Sequence, residues 1–98
     1  MLIRRVCILA FFVLLLGGAS AVAQPQDNPL ERARDHMELG QNAFETGDYE
    51  TAAEQFVDAY AASPFPAFLY NAGLAFEKWG DKKQAAEMLR RWRSSKSK

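Results

Sequence analysis

Cysteine occurs once in the 98 residues, at Cys7, and histidine once, at His36. A lone cysteine excludes an intramolecular disulfide, so no covalent staple supports this small chain. The residues three and four positions from His36 are Arg32, Ala33, Leu39 and Gly40, which offer nothing to share a metal ion or activate a nucleophile. A packing role for His36 is the expectation. There is no phosphate-cradling glycine loop, no zinc-ligand spacing and no G-x-S-x-G turn. Past residue 23 the serines are Ser63, in a proline-rich break, and Ser94, Ser95 and Ser97, in a basic end segment. These absences argue against an enzyme and leave no cofactor or metal to expect.

The first 23 residues read as a secretory signal peptide. Arg4 and Arg5 form a positive start, Val6 to Leu16 is an unbroken apolar run, and Gly17-Gly18 breaks it before the small-x-small site Ala21-Val22-Ala23. The alternative is an uncleaved anchor in the inner membrane, because Val6 to Ala23 is eighteen residues without a charge, near the minimum for a span. The apolar core is only eleven residues long, which favours cleavage. Cys7 lies early in that run, whereas a lipid-attachment cysteine would follow small residues at its end. It is therefore expected to leave with the peptide. Removal of residues 1–23 leaves 75, without cysteine, and a core of that size supplies only about 3–5 kcal/mol.

Charge is zero overall but unevenly placed. Residues 24–64 carry a net charge of −7 and residues 65–98 a net charge of +5. The resulting mature balance of −2, and a basic segment without interleaved glycine and aromatic residues, speak against nucleic acid as a partner.

What the chain does have is a repeat. Gly40, Gly47, Asp48, Ala52 and Ala53 recur 33 residues later as Gly73, Gly80, Asp81, Ala85 and Ala86, and Phe56 is matched by Leu89. A period of this length signals a helix-turn-helix unit stacked on a copy of itself. Asn28, Pro29 and Glu31 predict a first helix opened by a capping box, with Leu30, Ala33, Met37, Gly40 and Phe44 at helical spacing. Gly47 ends it in a left-handed position and Asp48 caps a second helix with Ala52, Phe56, Ala59 and Tyr60 as its buried stripe. Ser63-Pro64-Phe65-Pro66 separates the units, with Pro66 near the start of a third helix that carries Leu69, Ala72, Gly73 and Phe76 and closes at Gly80. Asp81 and Gln84 form a second capping box before a fourth helix through Ala85, Met88, Leu89 and Trp92. Nothing reads as a strand. Glycine inside a helix costs about 1 kcal/mol, so Gly40 and Gly73 in equivalent mid-helix places argue for close packing.

Residues 33–66 resemble a tetratricopeptide repeat. Leu39-Gly40, Gly47-Asp48-Tyr49, Ala52, Phe56, Ala59 and Pro64 fall in that family's register, and Phe44 stands one residue past its usual aromatic position. Residues 66–92 resemble a second copy through Ala72-Gly73, Phe76, Gly80-Asp81, Ala85 and Leu89. That copy departs from the pattern at Lys82, usually Tyr, and at Trp92, usually Ala. The resemblance implies an all-α fold, two stacked helix-turn-helix repeats of four antiparallel helices. It also implies a groove lined by the first helix of each repeat, at Met37, Gln41, Phe44, Tyr70, Asn71 and Leu74. Asn71 is the sharpest of these, because an amide can pair with both the N–H and the C=O of an extended peptide. Met37 and Gln41 stand where the family's carboxylate clamp has Lys and Asn, so capture of a C-terminal carboxylate is not expected.

Glu50, Glu54 and Asp58, four residues apart, read as a solvated face whose repeat equivalents are Lys83, Glu87 and Arg91. Stacking would make Glu50 and Lys83, and Asp58 and Arg91, complementary neighbours. Met88 and Trp92 are expected beside the edge where a further repeat would pack, with Trp92 either sealing that edge or anchoring a partner.

The chain thus divides into a signal peptide (1–23), a polar leader (24–28), a helical repeat domain (29–93, with repeats at about 29–63 and 66–93) and a basic tail (94–98). The expected function is a non-catalytic module of the cell envelope, binding protein or peptide partners in the periplasm of a two-membrane bacterium. Its membrane contact would be only through the signal peptide before cleavage. The alternative is a self-associating subunit, a homo-oligomer whose open repeat end completes its core with another copy. Cleavage is directly testable: N-terminal sequencing of the protein from the envelope fraction should begin at Gln24, and an intact Met1 in the membrane fraction would contradict it.

Overall fold

The computed structural model describes residues 28–96. The segment read as a signal peptide (1–23), with its Cys7, and most of the polar leader lie outside the described residues. Four helices succeed one another: α1 (Pro29–Glu45), α2 (Tyr49–Ala62), α3 (Pro66–Trp79) and α4 (Lys82–Lys96). The substantial packing runs α1 on α2, α2 on α3 and α3 on α4. The protein is all-α, two helical hairpins in series, with no strand among the described residues. Among those residues no helix is long and apolar enough to cross a membrane.

The two hairpin turns share two equivalent backbone bonds. Gly47 (φ 86°) donates to the Phe44 carbonyl at 3.1 Å, and the Asp48 N–H reaches back to Ala43 O at 2.8 Å. Gly80 (φ 103°) donates to Glu77 O at 3.1 Å, and Asp81 N–H to Phe76 O at 2.9 Å. This paired bonding closes a helix through a left-handed residue, which glycine adopts without steric cost. Each aspartate then opens the next helix. Asp48 accepts from the Thr51 N–H at 3.3 Å and Asp81 from the Gln84 N–H at 3.1 Å. The glycine that ends one helix is thus followed at once by the cap of its successor, which keeps each turn short.

Three local readings need correcting. Asn28 caps α1 by accepting from the N–H groups of Leu30 and Glu31, but Glu31 does not reach back to complete a box. Its carboxylate pairs with Arg34 at 2.9 Å, one turn onward on the exposed face. The helix α4 runs to Lys96, three residues into the segment read as a tail. There Lys96 reaches back over the Trp92 ring at 4.6 Å and Ser95 Oγ donates to Trp92 O at 2.7 Å, so the last turn is held by its own side chains. Finally, neither Glu50 with Lys83 nor Asp58 with Arg91 closes to an ion pair among the described residues. The Arg91 guanidinium lies instead over the Tyr60 ring, 5.2 Å from its centroid. Glu50, Glu54 and Asp58 remain exposed.

The core is made chiefly of alanine: Ala52, Ala53, Ala59, Ala72 and Ala75 are at most 1% exposed. Such small side chains bring helices close, and a few large ones fill the space between: Phe56, Phe68, Leu69, Phe76 and Met88. Two close approaches fall at the mid-helix glycines. A Cβ on Gly40 would stand 2.8 Å from Phe56 Cε1, and one on Gly73 2.7 Å from Leu89 Cδ2. The two contacts are repeat equivalents. His36 is half-buried and hydrogen-bonds through Nδ1 to Gln55 Oε1 at 2.7 Å, tying α1 to α2.

The glycine contacts make a paired prediction. Overpacking costs about 1–3 kcal/mol, while Gly→Ala in a helix returns about 1 kcal/mol. Phe56 is buried and cannot swing aside, whereas half-buried Leu89 can turn toward solvent. Urea unfolding should therefore show Gly40→Ala destabilised by about 1–2 kcal/mol and Gly73→Ala changed by less than about 0.5 kcal/mol. Equal losses in both variants would refute this difference in freedom.

Candidate functional site

A cleft of about 330 Å³ opens between α1 and α3. Gln41, Phe44 and Glu45 line it from α1, Asn71 and Leu74 from α3, and Phe56 of α2 lies at its back. The spacing explains the set. Residues three and four apart share a helix face, which joins Gln41 to Phe44 and Glu45, and Asn71 to Leu74. Gly40 has a part in this as well: without a Cβ there, the Phe56 ring can lie against α1 and form the cleft's rear wall.

Of the six residues expected to line a groove, the structure brings Gln41, Phe44, Asn71 and Leu74 together at the cleft. Tyr70 and Met37 are elsewhere. The Tyr70 ring packs on Trp92 at 4.8 Å, because one residue along a helix turns the side chain by about 100° and aims it toward α4. Met37 is half-buried and packs against the core beside Ala33, Ala59 and Phe68. Two lining residues were missed. Glu45 comes four residues after Gln41, and that spacing was the available signal. Phe56 was read only as core filling, which it also is.

The cleft combines two kinds of recognition. Phe44, Leu74 and Phe56 present apolar surface. Gln41 and Asn71 present two amides, each able to donate and accept. Glu45 adds one carboxylate at the rim. Phe44 is braced from outside by Tyr49, whose ring meets it edge-on at 5.1 Å. Phe44 is therefore held by the α1–α2 turn. Nothing in the lining pairs a nucleophile with a base, and among the described residues no three His, Cys, Asp or Glu side chains converge. The arrangement can bind, through amide pairing and apolar contact.

Met88 and Trp92, expected beside an open edge, lie differently. Met88 is 9% exposed and belongs to the core. Trp92 is half-buried, packed between Tyr70 and the Lys96 ammonium. The fold that holds them is all-α, with helices packed on their neighbours in chain order as in a helical-hairpin repeat. Compared with family models, curated proteins and solved structures, the chain matches none.

Trp92 in this setting closes the α3–α4 hairpin. Burying a tryptophan fully is worth about 3–5 kcal/mol on truncation, and a half-buried one proportionally less, so Trp92→Ala should cost about 1–3 kcal/mol. Denaturant melts at several protein concentrations would check this; a variant as stable as the parent would contradict it.

Proposed function

We propose that this chain is a small exported module of the tetratricopeptide-repeat kind that binds a protein or peptide in the α1–α3 cleft and catalyses nothing. The observation that carries the reading is the cleft itself, where Gln41 and Asn71 line one space from the equivalent helices of two hairpins, over an apolar wall. An extended peptide offers alternating N–H and C=O groups for such amides, and an apolar side chain for Phe44, Leu74 and Phe56. A volume of about 330 Å³ suits one or two side chains of a partner, within the lower range of ligand sites. The repeat pattern at Leu39-Gly40, Gly47-Asp48-Tyr49 and Ala52 supports the family reading, and Arg4-Arg5 with Ala21-Val22-Ala23 supports export to the periplasm.

The test uses site-specific photo-crosslinking in the cell envelope. A crosslinker at Gln41 should trap a partner, whereas one at Glu54, on the exposed face of α2, should not. With that partner purified, Asn71→Ala should weaken binding by about 1–2 kcal/mol without loss of helical signal. Crosslinks at Glu54 and not at Gln41, or an affinity indifferent to Asn71, would remove the cleft from the function.

A further inference from the structure

The 33-residue correspondence allows each exposed end of the stack to be compared with its covered equivalent inside it. At the internal junction α3 covers α2. Ala53 (0% exposed) and Phe56 (3%) pack in one cluster with Ala72 (1%). Tyr60 packs against the cluster of Ala59 and Phe68. On α4 the equivalents of Ala53, Phe56 and Tyr60 are Ala86, Leu89 and Arg93. Ala86 and Arg93 are exposed and Leu89 is half-buried. They line a second cleft, of about 450 Å³. On α1 the equivalents of Phe68 and Ala72 are Asp35 and Leu39; Asp35 is exposed, and Leu39 is 53% exposed where Ala72 is covered.

We infer that the outward face of α4 receives α1 of a second copy, head to tail, in the geometry by which α2 receives α3. The two half-junctions complement each other when brought together this way. Inside the chain a large Phe56 shares one core cluster with a small Ala72. Between copies a smaller Leu89 meets a larger Leu39, so the space lost on one side is filled from the other. Where Tyr60 packs against the cluster that holds Phe68, the junction between copies has Arg93 opposite Asp35, a cation facing a carboxylate. Neither of these has an ion-pair partner among the described residues. Charge over the two whole helices agrees: α4 carries six basic side chains and one acid, whereas α1 carries four acids and two arginines. The contact uses different surfaces on the two copies, so it does not close on a dimer but continues into linear stacks. It involves none of the α1–α3 cleft residues and stands independently of the binding reading.

Sedimentation velocity on the full chain, in whichever length the cell leaves it, tests this over a concentration series. The wild type should show a continuous rise in size with concentration, reduced by salt. Leu39→Asp, Arg93→Asp and Asp35→Arg should each weaken association by about tenfold or more, as expected for a desolvated contact facing a wrong charge. The helical circular dichroism should be kept, since all three positions are exposed. Asp35→Arg combined with Arg93→Asp restores opposite charges at every junction, and should return association to near the wild-type level. A wild type that stays monomeric at the highest concentration attainable overturns the inference. So does association indifferent to these variants, which would assign it to another surface such as the apolar run Val6–Leu16. Failure of the charge exchange to restore assembly overturns it as well.

Discussion

The distance between paired helices at Gly40 and Gly73 is the constraint on which the other packing in this fold depends. With no Cβ at either place, the Phe56 ring and the Leu89 side chain sit directly against the opposing backbone, and the neighbouring alanines keep that spacing along the hairpin. The same approach decides where the large side chains go. Because Phe56 can lie flat against α1, it both fills the core and backs the cleft. The described core is held by alanines and a few aromatics, with no disulfide among the described residues. Dispersion contacts at short range thus carry the stability, which makes the fold sensitive to single methyl groups.

The parts of this structure that were legible in the sequence are those set by local backbone chemistry. Gly47 and Gly80 need positive φ, and Asp48 and Asp81 need a free N–H three residues on, and these demands show in residue type and spacing alone. The cleft was only partly legible because its membership turns on rotation about a helix axis. Asn71 and Tyr70 are neighbours in sequence, yet one faces the cleft and the other Trp92. The complementary charges expected side by side on α2 and α4 do not close into ion pairs, for a different reason. Arg91 had a choice between a solvated carboxylate and an aromatic face within the fold, and it lies over Tyr60. A long flexible side chain makes that choice on tertiary surroundings, which a linear pattern does not contain.

The two hairpins share a frame but not a surface. Phe44 and Tyr49 brace each other across the first turn, while Glu77 and Lys82 occupy those places in the second. The first hairpin therefore keeps an aromatic wall for the cleft, and the second is polar at the same point. Gln41 corresponds to Leu74, so an amide on one helix is matched by an apolar side chain on its repeat equivalent. Repetition supplies the architecture, and the departures from it supply the mixed polar and apolar lining of the cleft.

Because strong packing joins only helices adjacent along the chain, the molecule behaves as a short linear array whose ends can open separately. Unzipping of α4 would leave α1, α2 and α3 in contact, and unzipping of α1 would leave the other three. The cleft, however, draws its walls from both α1 and α3, which have no extensive contact of their own. A molecule held there would bridge two segments that otherwise fluctuate with little regard for each other. Occupancy would then be felt as slower amide exchange in α1, the end helix that lines the cleft, with little change in the average shape.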